Sequence, residues 1–225
     1  MKGVETAPPA DRKGFSEHAI TAATAYPYAL LSSDAYSDRV EDWCELLERR
    51  QDERTGFSGY ACRKHRDGRV VVAFRGTDEF KDWVKADIPQ AVSLPEHYRE
   101  GCGFAEDMKA RYGDIVVTGH SLGGGIAQYA ALKLGLEAWT FNPAGIGLGV
   151  EHQIMKCVSD GTCRPDSSRI TNVIVAGEPL AAARFFVGPD FVRLRGSVVH
   201  FLPAGGGLSS HSMASVRAAL EAAQR

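Results

Sequence analysis

Gly119-His120-Ser121-Leu122-Gly123 sets a serine between two glycines in a G-x-S-x-G pentapeptide. The run before it, DIVVT (Asp114–Thr118), reads as a buried strand, and the run after it, GGGIAQYAALKL, reads as a helix. A serine at that junction sits on a tight strand-to-helix turn with its hydroxyl raised above the strand ends, where it can act as a nucleophile. Side chains at Gly119 and Gly123 would clash where strand and helix nearly touch. The opening turn of the helix supplies backbone N–H groups and a positive dipole end, both of which favour a developing oxyanion.

A nucleophilic serine needs a base, and the base needs an acid to orient it. Three histidines follow Ser121. His152 falls in an irregular stretch, ahead of every acid that ends a strand. His200 lies within apolar VVHFL, the setting of a core or sheet-face histidine. His211 follows the glycine-rich AGGGLSS and opens a final helix, which is where a base on a flexible loop belongs, so His211 is the candidate. The candidate acid is Glu178, placed by Gly177-Glu178-Pro179 directly after ITNVIVA. A carboxylate at the C-terminal end of a strand shares the sheet edge with Ser121, the edge where open α/β sheets form their sites. Asp160 and Asp166 precede that strand, and Asp190, well past it, is the alternative acid.

The order serine, acid, histidine is that of α/β-hydrolases, and the elements needed to position these residues follow in the right sequence. Gly56–His65 and Arg69–Phe74 read as strands joined by a turn at Asp67-Gly68. Further strands are expected at Asp114–Thr118, Glu137–Phe141, Ile170–Val175 and Ser197–Phe201. Helices are expected at His18–Leu31, Phe104–Tyr112, Leu122–Leu134 and Ser212–Ala223, and at Val40–Arg50, where Val40, Trp43, Leu46 and Leu47 recur at helical spacing. Gly145–Arg169 shows no clear period and reads as a loop or irregular cap. The whole predicts an α/β fold of the α/β-hydrolase type, a mostly parallel central sheet with helices on both faces.

At 225 residues the chain suits one domain, read here as a flexible lead-in over 1–14 and a single hydrolase domain over 15–225. Net charge is −2 with scattered basic residues, so no footprint for nucleic acid is present. Behind Lys2 there is no apolar stretch of a signal peptide, nor does any run approach a membrane span. The expected location is therefore cytoplasmic, or exported without a cleaved signal in the manner of a secreted effector. Five cysteines, Cys44, Cys62, Cys102, Cys157 and Cys163, are an odd count without metal-ligand spacing. They are expected to be reduced and mostly buried, with Cys157 and Cys163 alone close enough in sequence for a local bridge.

Several segments resemble the class 3 lipase family, the fungal-type triacylglycerol lipases and their bacterial lipase and phospholipase relatives. Val70–Thr77 (VVVAFRGT) is similar to the family strand ending in Phe-Arg-Gly-Thr/Ser, and KDWVKAD, with Asp82, Trp83 and Asp87, to its D-W-x-x-D continuation. Gly103-Phe104 and GHSLGG (Gly119–Gly124) match its later elements. The likeness spans about Ser32 to Leu134 and thins thereafter. It implies that Thr77 supplies an oxyanion donor facing the N–H of Leu122, while Arg75 braces the turn at Gly76 and Trp83 belongs to the core. This chain departs from the family by offering Glu178 where an aspartate is usual. The segment corresponding to a lid, Ile88 to Cys102, is short and carries Glu96, Arg99 and Glu100 rather than a broad apolar face.

The expected activity is hydrolysis of carboxylic esters of lipid type through an acyl-enzyme, with a small-molecule or lipid ester as substrate and peripheral contact with a lipid surface. No cofactor or metal is expected. The same triad also serves acyltransferases and thioesterases, and a non-catalytic lipid-binding module is the alternative from another class.

Overall fold

Two strands buried along their whole length form the middle of the sheet. The computed structural model describes residues 12–37, 39–76, 94–178, 192–203 and 211–225. Val70–Phe74 (β3) runs parallel to Ile115–His120 (β4), with Val70 opposite Ile115 and Phe74 opposite Gly119. Val70, Val72, Ile115 and Val117 point into one core, while Val71, Ala73 and Val116 point into the other. Strands apolar on both sides must be covered on both sides.

The sheet grows outward from this pair. Glu137–Phe141 (β5), Ile170–Val175 (β7) and Ser197–Phe201 (β9) add in parallel beyond β4. Phe57–Lys64 (β2) and Cys44–Asp52 (β1) add antiparallel beyond β3, completing the order β1-β2-β3-β4-β5-β7-β9. A separate two-stranded ribbon pairs Ile146–Gly147 (β6) with Val192–Arg193 (β8). Arg12–Asp34 (α1) and Met213–Ala223 (α5) cover one face, joined by a 2.5 Å hydrogen bond from Tyr26 Oη to Glu221. Glu96–Tyr112 (α2), Leu122–Leu134 (α3) and Leu148–Ser159 (α4) cover the other through Phe104, Met108, Ile126 and Ile154. The expected α/β-hydrolase architecture is therefore present, and the strands anticipated at 114–118, 137–141, 170–175 and 197–201 are found.

Four expectations are corrected. Val40–Arg50 is not a helix, because its second half forms β1. The outer edge of β2 offers a row of backbone donors and acceptors, and pairing with it outweighs a helix preference worth a few tenths of a kcal/mol per residue. A bulge between Leu46 and Glu48 turns both leucines off a strict alternation, which is why their spacing looked helical. Gly145–Arg169 is not irregular: it holds β6, α4 and a 3₁₀ turn at Ser167–Arg169. The buried residues of α4 are Gly149, Val150, Ile154 and Cys157, while apolar Leu148, Met155 and Val158 are exposed, so the apolar residues do not mark one face. Third, the helix expected at Phe104–Tyr112 begins at Glu96, so α2 takes in residues 96–102 of the segment compared with a lid; Glu96 pairs with Arg54, and Glu100 with Arg54 and Thr55.

The fourth correction concerns sulfur. Cys44 and Cys62 form a disulfide between β1 and β2, and Cys157 and Cys163 form another that closes the loop after α4, with Cα separations of 5.7 and 5.4 Å. Only Cys102 is a free thiol, and it is buried. Adjacent antiparallel strands bring the first pair together across 18 residues of sequence, a proximity that spacing alone hides. Closing a loop of that length constrains the unfolded chain by about 3 kcal/mol. The Cys44→Ser/Cys62→Ser variant should lose about 2–3 kcal/mol of unfolding free energy, read as a lower urea midpoint at unchanged slope.

Candidate active site

β4 ends at His120 and α3 begins at Leu122, leaving Ser121 to make the whole turn between them. Its backbone is held at φ 55, ψ −125, a conformation that costs a non-glycine residue about 1–3 kcal/mol. The surrounding hydrogen bonds hold the strain in place. Ser121 N–H donates to Phe141 O at 3.1 Å, and its carbonyl accepts from the N–H groups of Gly124, Gly125 and Ala144 at 3.0, 3.2 and 2.8 Å. The approach is close enough to demand glycine. A Cβ on Gly123 would stand 2.2 Å from Phe74 O, and one on Gly119 would stand 2.4 Å from the Gly123 backbone. Ser121 itself is 2% exposed. Leu122 N–H lies in the first turn of α3, where backbone donors have no intrahelical carbonyl to meet.

The candidate acid and the candidate base both come from later in the chain, 33 residues apart. β7 stops at Val175 and turns through Ala176 and Gly177, with Glu178 N–H donating to Val175 O at 3.2 Å. Glu178 is 1% exposed, and its Oε2 accepts from His211 Nδ1 at 3.0 Å. With Nδ1 donating, the His211 imidazole presents Nε2 as its basic nitrogen. His211 stands just ahead of Ser212, the residue whose hydroxyl caps α5 by accepting from Ser215 N–H. Its ring lies 4.7 Å from that of His120, the neighbour of Ser121. Ser121, Glu178 and His211 thus share the C-terminal edge of the parallel strands. His200 does not join them: it sits on β9 opposite Ile174 with its side chain exposed. His152 is exposed on α4.

On the oxyanion side, Arg75 and Gly76 follow β3 directly. Arg75 lies over the Tyr36 ring at 5.9 Å, in keeping with a bracing role. A Cβ at Gly76 would meet Tyr36 Oη at 2.3 Å and His120 O at 2.7 Å, so this turn is pressed against the serine turn. Thr77, Asp82, Trp83, Asp87 and Asp190 lie outside the described residues. Among the described residues no cluster of His, Cys, Asp and Glu could hold a metal ion.

Two side chains that sequence reasoning did not single out complete the surroundings. His120 is buried at 6% exposure, with Nδ1 2.8 Å from Tyr36 Oη and Nε2 2.5 Å from His211 O. Burial, followed by the neighbouring His211, pulls its pKa down to about 3. His120 was visible only as the variable position of the pentapeptide, and Tyr36, 84 residues away from it, carried no local signal at all.

A family model described as the Tle-like phospholipase domain, of the phospholipase-like type, matches residues 27–187. That is most of the chain, which therefore belongs to this family. The extracellular phospholipase A1 of Serratia liquefaciens is 35% identical over 135 residues, covering 54% of this chain and 42% of that protein. The match thus spans under half the length of that relative. Among solved structures, the LIP2 lipase of Yarrowia lipolytica superposes at TM-score 0.57 with 18% identity, covering 81% of this chain and 80% of that one. A triacylglycerol lipase of Penicillium expansum gives TM-score 0.55 with 19% identity, covering 88% and 82%. At such identities the two lipases attest the fold alone.

Because His120 stays neutral down to about pH 3 when folded and titrates near about 6.5 when unfolded, the unfolded state binds the extra proton between those values. Stability is unaffected by this group above about pH 6.5 and is lost as pH falls through the window, at up to about 1.4 kcal/mol per pH unit. His120→Gln should remove that one-proton slope, measured by urea unfolding of both proteins between about pH 4 and 6.

Proposed function

We propose that this member of the Tle-like phospholipase family is a serine carboxylic-ester hydrolase acting on phospholipid-type esters. Ser121 would serve as nucleophile, His211 as base and Glu178 as the acid that orients it. One observation carries the reading: a carboxylate removed from water accepts a hydrogen bond from His211 Nδ1 at 3.0 Å. A buried carboxylate paired with an imidazole, beside a strained serine turn, has the form of the base–orienter pair of acyl-transfer enzymes.

In this mechanism His211 Nε2 takes the Ser121 Oγ proton as Oγ attacks the ester carbonyl. The imidazolium formed is stabilised by Glu178, which keeps its charge throughout. The tetrahedral oxyanion is met by the N–H of Leu122 and by Thr77. Collapse breaks the bond to the leaving alkoxide, which receives the proton from His211 and departs as an alcohol. Water then repeats the cycle on the acyl-enzyme, releasing the carboxylic acid and restoring Ser121. Removing one oxyanion donor typically costs about 10²–10³ in rate.

The family favours a phospholipid over bulk triglyceride, and the polar segment around Glu96 and Glu100 supports the same preference. Two disulfides in so short a chain suit an oxidising compartment, and the relative named above is called extracellular. An exported enzyme that meets lipid at a surface is the reading that fits both. No helix among the described residues is long and apolar enough to cross a membrane.

A fluorophosphonate probe should label the protein stoichiometrically, and Ser121→Ala should abolish labelling. His211→Ala should eliminate turnover, and Glu178→Gln should lower kcat by about 10³-fold or more, with His200→Ala close to wild type. Fatty acid release from phosphatidylcholine vesicles should exceed release from a triglyceride emulsion. Labelling that survives in Ser121→Ala, or equal losses in His200→Ala and His211→Ala at equal stability, would overturn the assignment.

A further inference from the structure

Resting on that reading of Ser121 and His211, we propose that His120 is a positioning residue that, together with Tyr36, ties the oxyanion turn to the backbone of the catalytic base. The arrangement is a short chain of contacts. Tyr36 Oη presses against Gly76, where a Cβ would stand 2.3 Å from it, and lies 2.8 Å from His120 Nδ1, while His120 Nε2 lies 2.5 Å from His211 O.

The direction of every bond in the line follows from its far end. A backbone carbonyl can only accept, so Nε2 carries the proton. A neutral imidazole then has an acceptor at Nδ1, and the Tyr36 hydroxyl must donate to it. The Tyr36 oxygen then sits packed against the Gly76 backbone. The ring stays neutral because it is buried, so this tautomer persists across the pH range in which His211 would work. Tyr36 is buried too, and burial pushes its phenol well above the ordinary tyrosine value, keeping the donor proton in place.

The function follows from where the anchor points sit. His120 is the last residue of β4 and is covalently next to Ser121, so its ring moves with the nucleophile. His211 leads into α5, and Glu178 holds its ring through Nδ1. His120 holds its backbone. Two independent tethers, one on the imidazole and one on the peptide, fix both the orientation of the base and its distance from the nucleophile. Extending the line to Gly76 places the residue preceding Thr77 in the same frame. A displacement of about 1 Å in such a site can cost about 10²-fold in rate, so a tether of this kind acts on kcat.

Isosteres separate this role from simple core filling. The amide nitrogen of glutamine can occupy the position of Nε2 and donate to His211 O, whereas asparagine reaches only the position of Nδ1. In the full chain, His120→Gln should keep kcat for a p-nitrophenyl ester within about fivefold of wild type, whereas His120→Asn should lose about 10–100-fold. Rate constants for fluorophosphonate labelling should follow the same order, with KM unchanged and the two melting temperatures alike. Tyr36→Phe, which frees the tautomer without emptying the space, should lower kcat by about three- to tenfold at unchanged KM, and it serves as the test should His120→Asn fail to fold. Equal losses in the Gln and Asn variants at matched stability, an unchanged kcat in Tyr36→Phe, or losses confined to KM would overturn the proposal. Ser121→Ala run alongside tells the two readings apart. If its labelling persists, the triad itself is wrong; if labelling vanishes while Gln and Asn behave alike, only the tether is.

Discussion

The backbone approach at Ser121 is the constraint on which the rest of the molecule depends. Three chain segments arrive there at van der Waals distance: the end of β3 at Phe74, the start of α3 at Gly123, and the loop after β5 at Ala144. No side chain can stand between them, and the serine carbonyl serves as the common acceptor for Gly124, Gly125 and Ala144. The strain in the serine backbone is offset by this convergence rather than by any one bond. The parallel sheet, the two helical layers and the loop beyond β5 hold three backbones within one peptide's width of each other.

A second consequence is that charge near the serine is placed without water. Glu178 is removed from solvent and accepts a hydrogen bond from a residue 33 positions later. His120, whose ring lies 4.7 Å from that of His211, is buried as a neutral ring. A low-dielectric surround strengthens a hydrogen bond that is made and penalises one that is not. Polar groups there must be matched donor to acceptor, and the line from Tyr36 through His120 to His211 is so matched.

What the sequence discloses about this fold depends on range. The elbow was legible because strand, glycine, serine, glycine and helix are consecutive, and each local preference agrees with the final structure. The parallel strands were legible because residues such as Val70–Phe74 are apolar on both faces. Leu46 and Leu47 misled because a bulge broke the two-residue alternation, and α4 hid because Leu148, Met155 and Val158 put apolar residues on its exposed face as well. The Cys44–Cys62 bridge and the Tyr36–His120 contact are matters of tertiary proximity, with no trace in spacing. Glu178 and His211 stand between these cases: chain order and strand ends suggested them, but only the folded chain puts the carboxylate against Nδ1.

β1 closes one side of the sheet, and its bulge and its residues Glu45, Glu48, Arg49, Arg50 and Asp52 face a margin with no further strand among the described residues. An open strand edge is a template for another chain. Here the template is kinked, charged in both senses and stapled to β2 by sulfur. Molecules crowded side by side would find no flat ribbon to extend. The strand whose spacing reads as a helix is thus also a poor template for a further strand, and it lies three strands from β4, where its irregularity does not disturb the sheet's central strands.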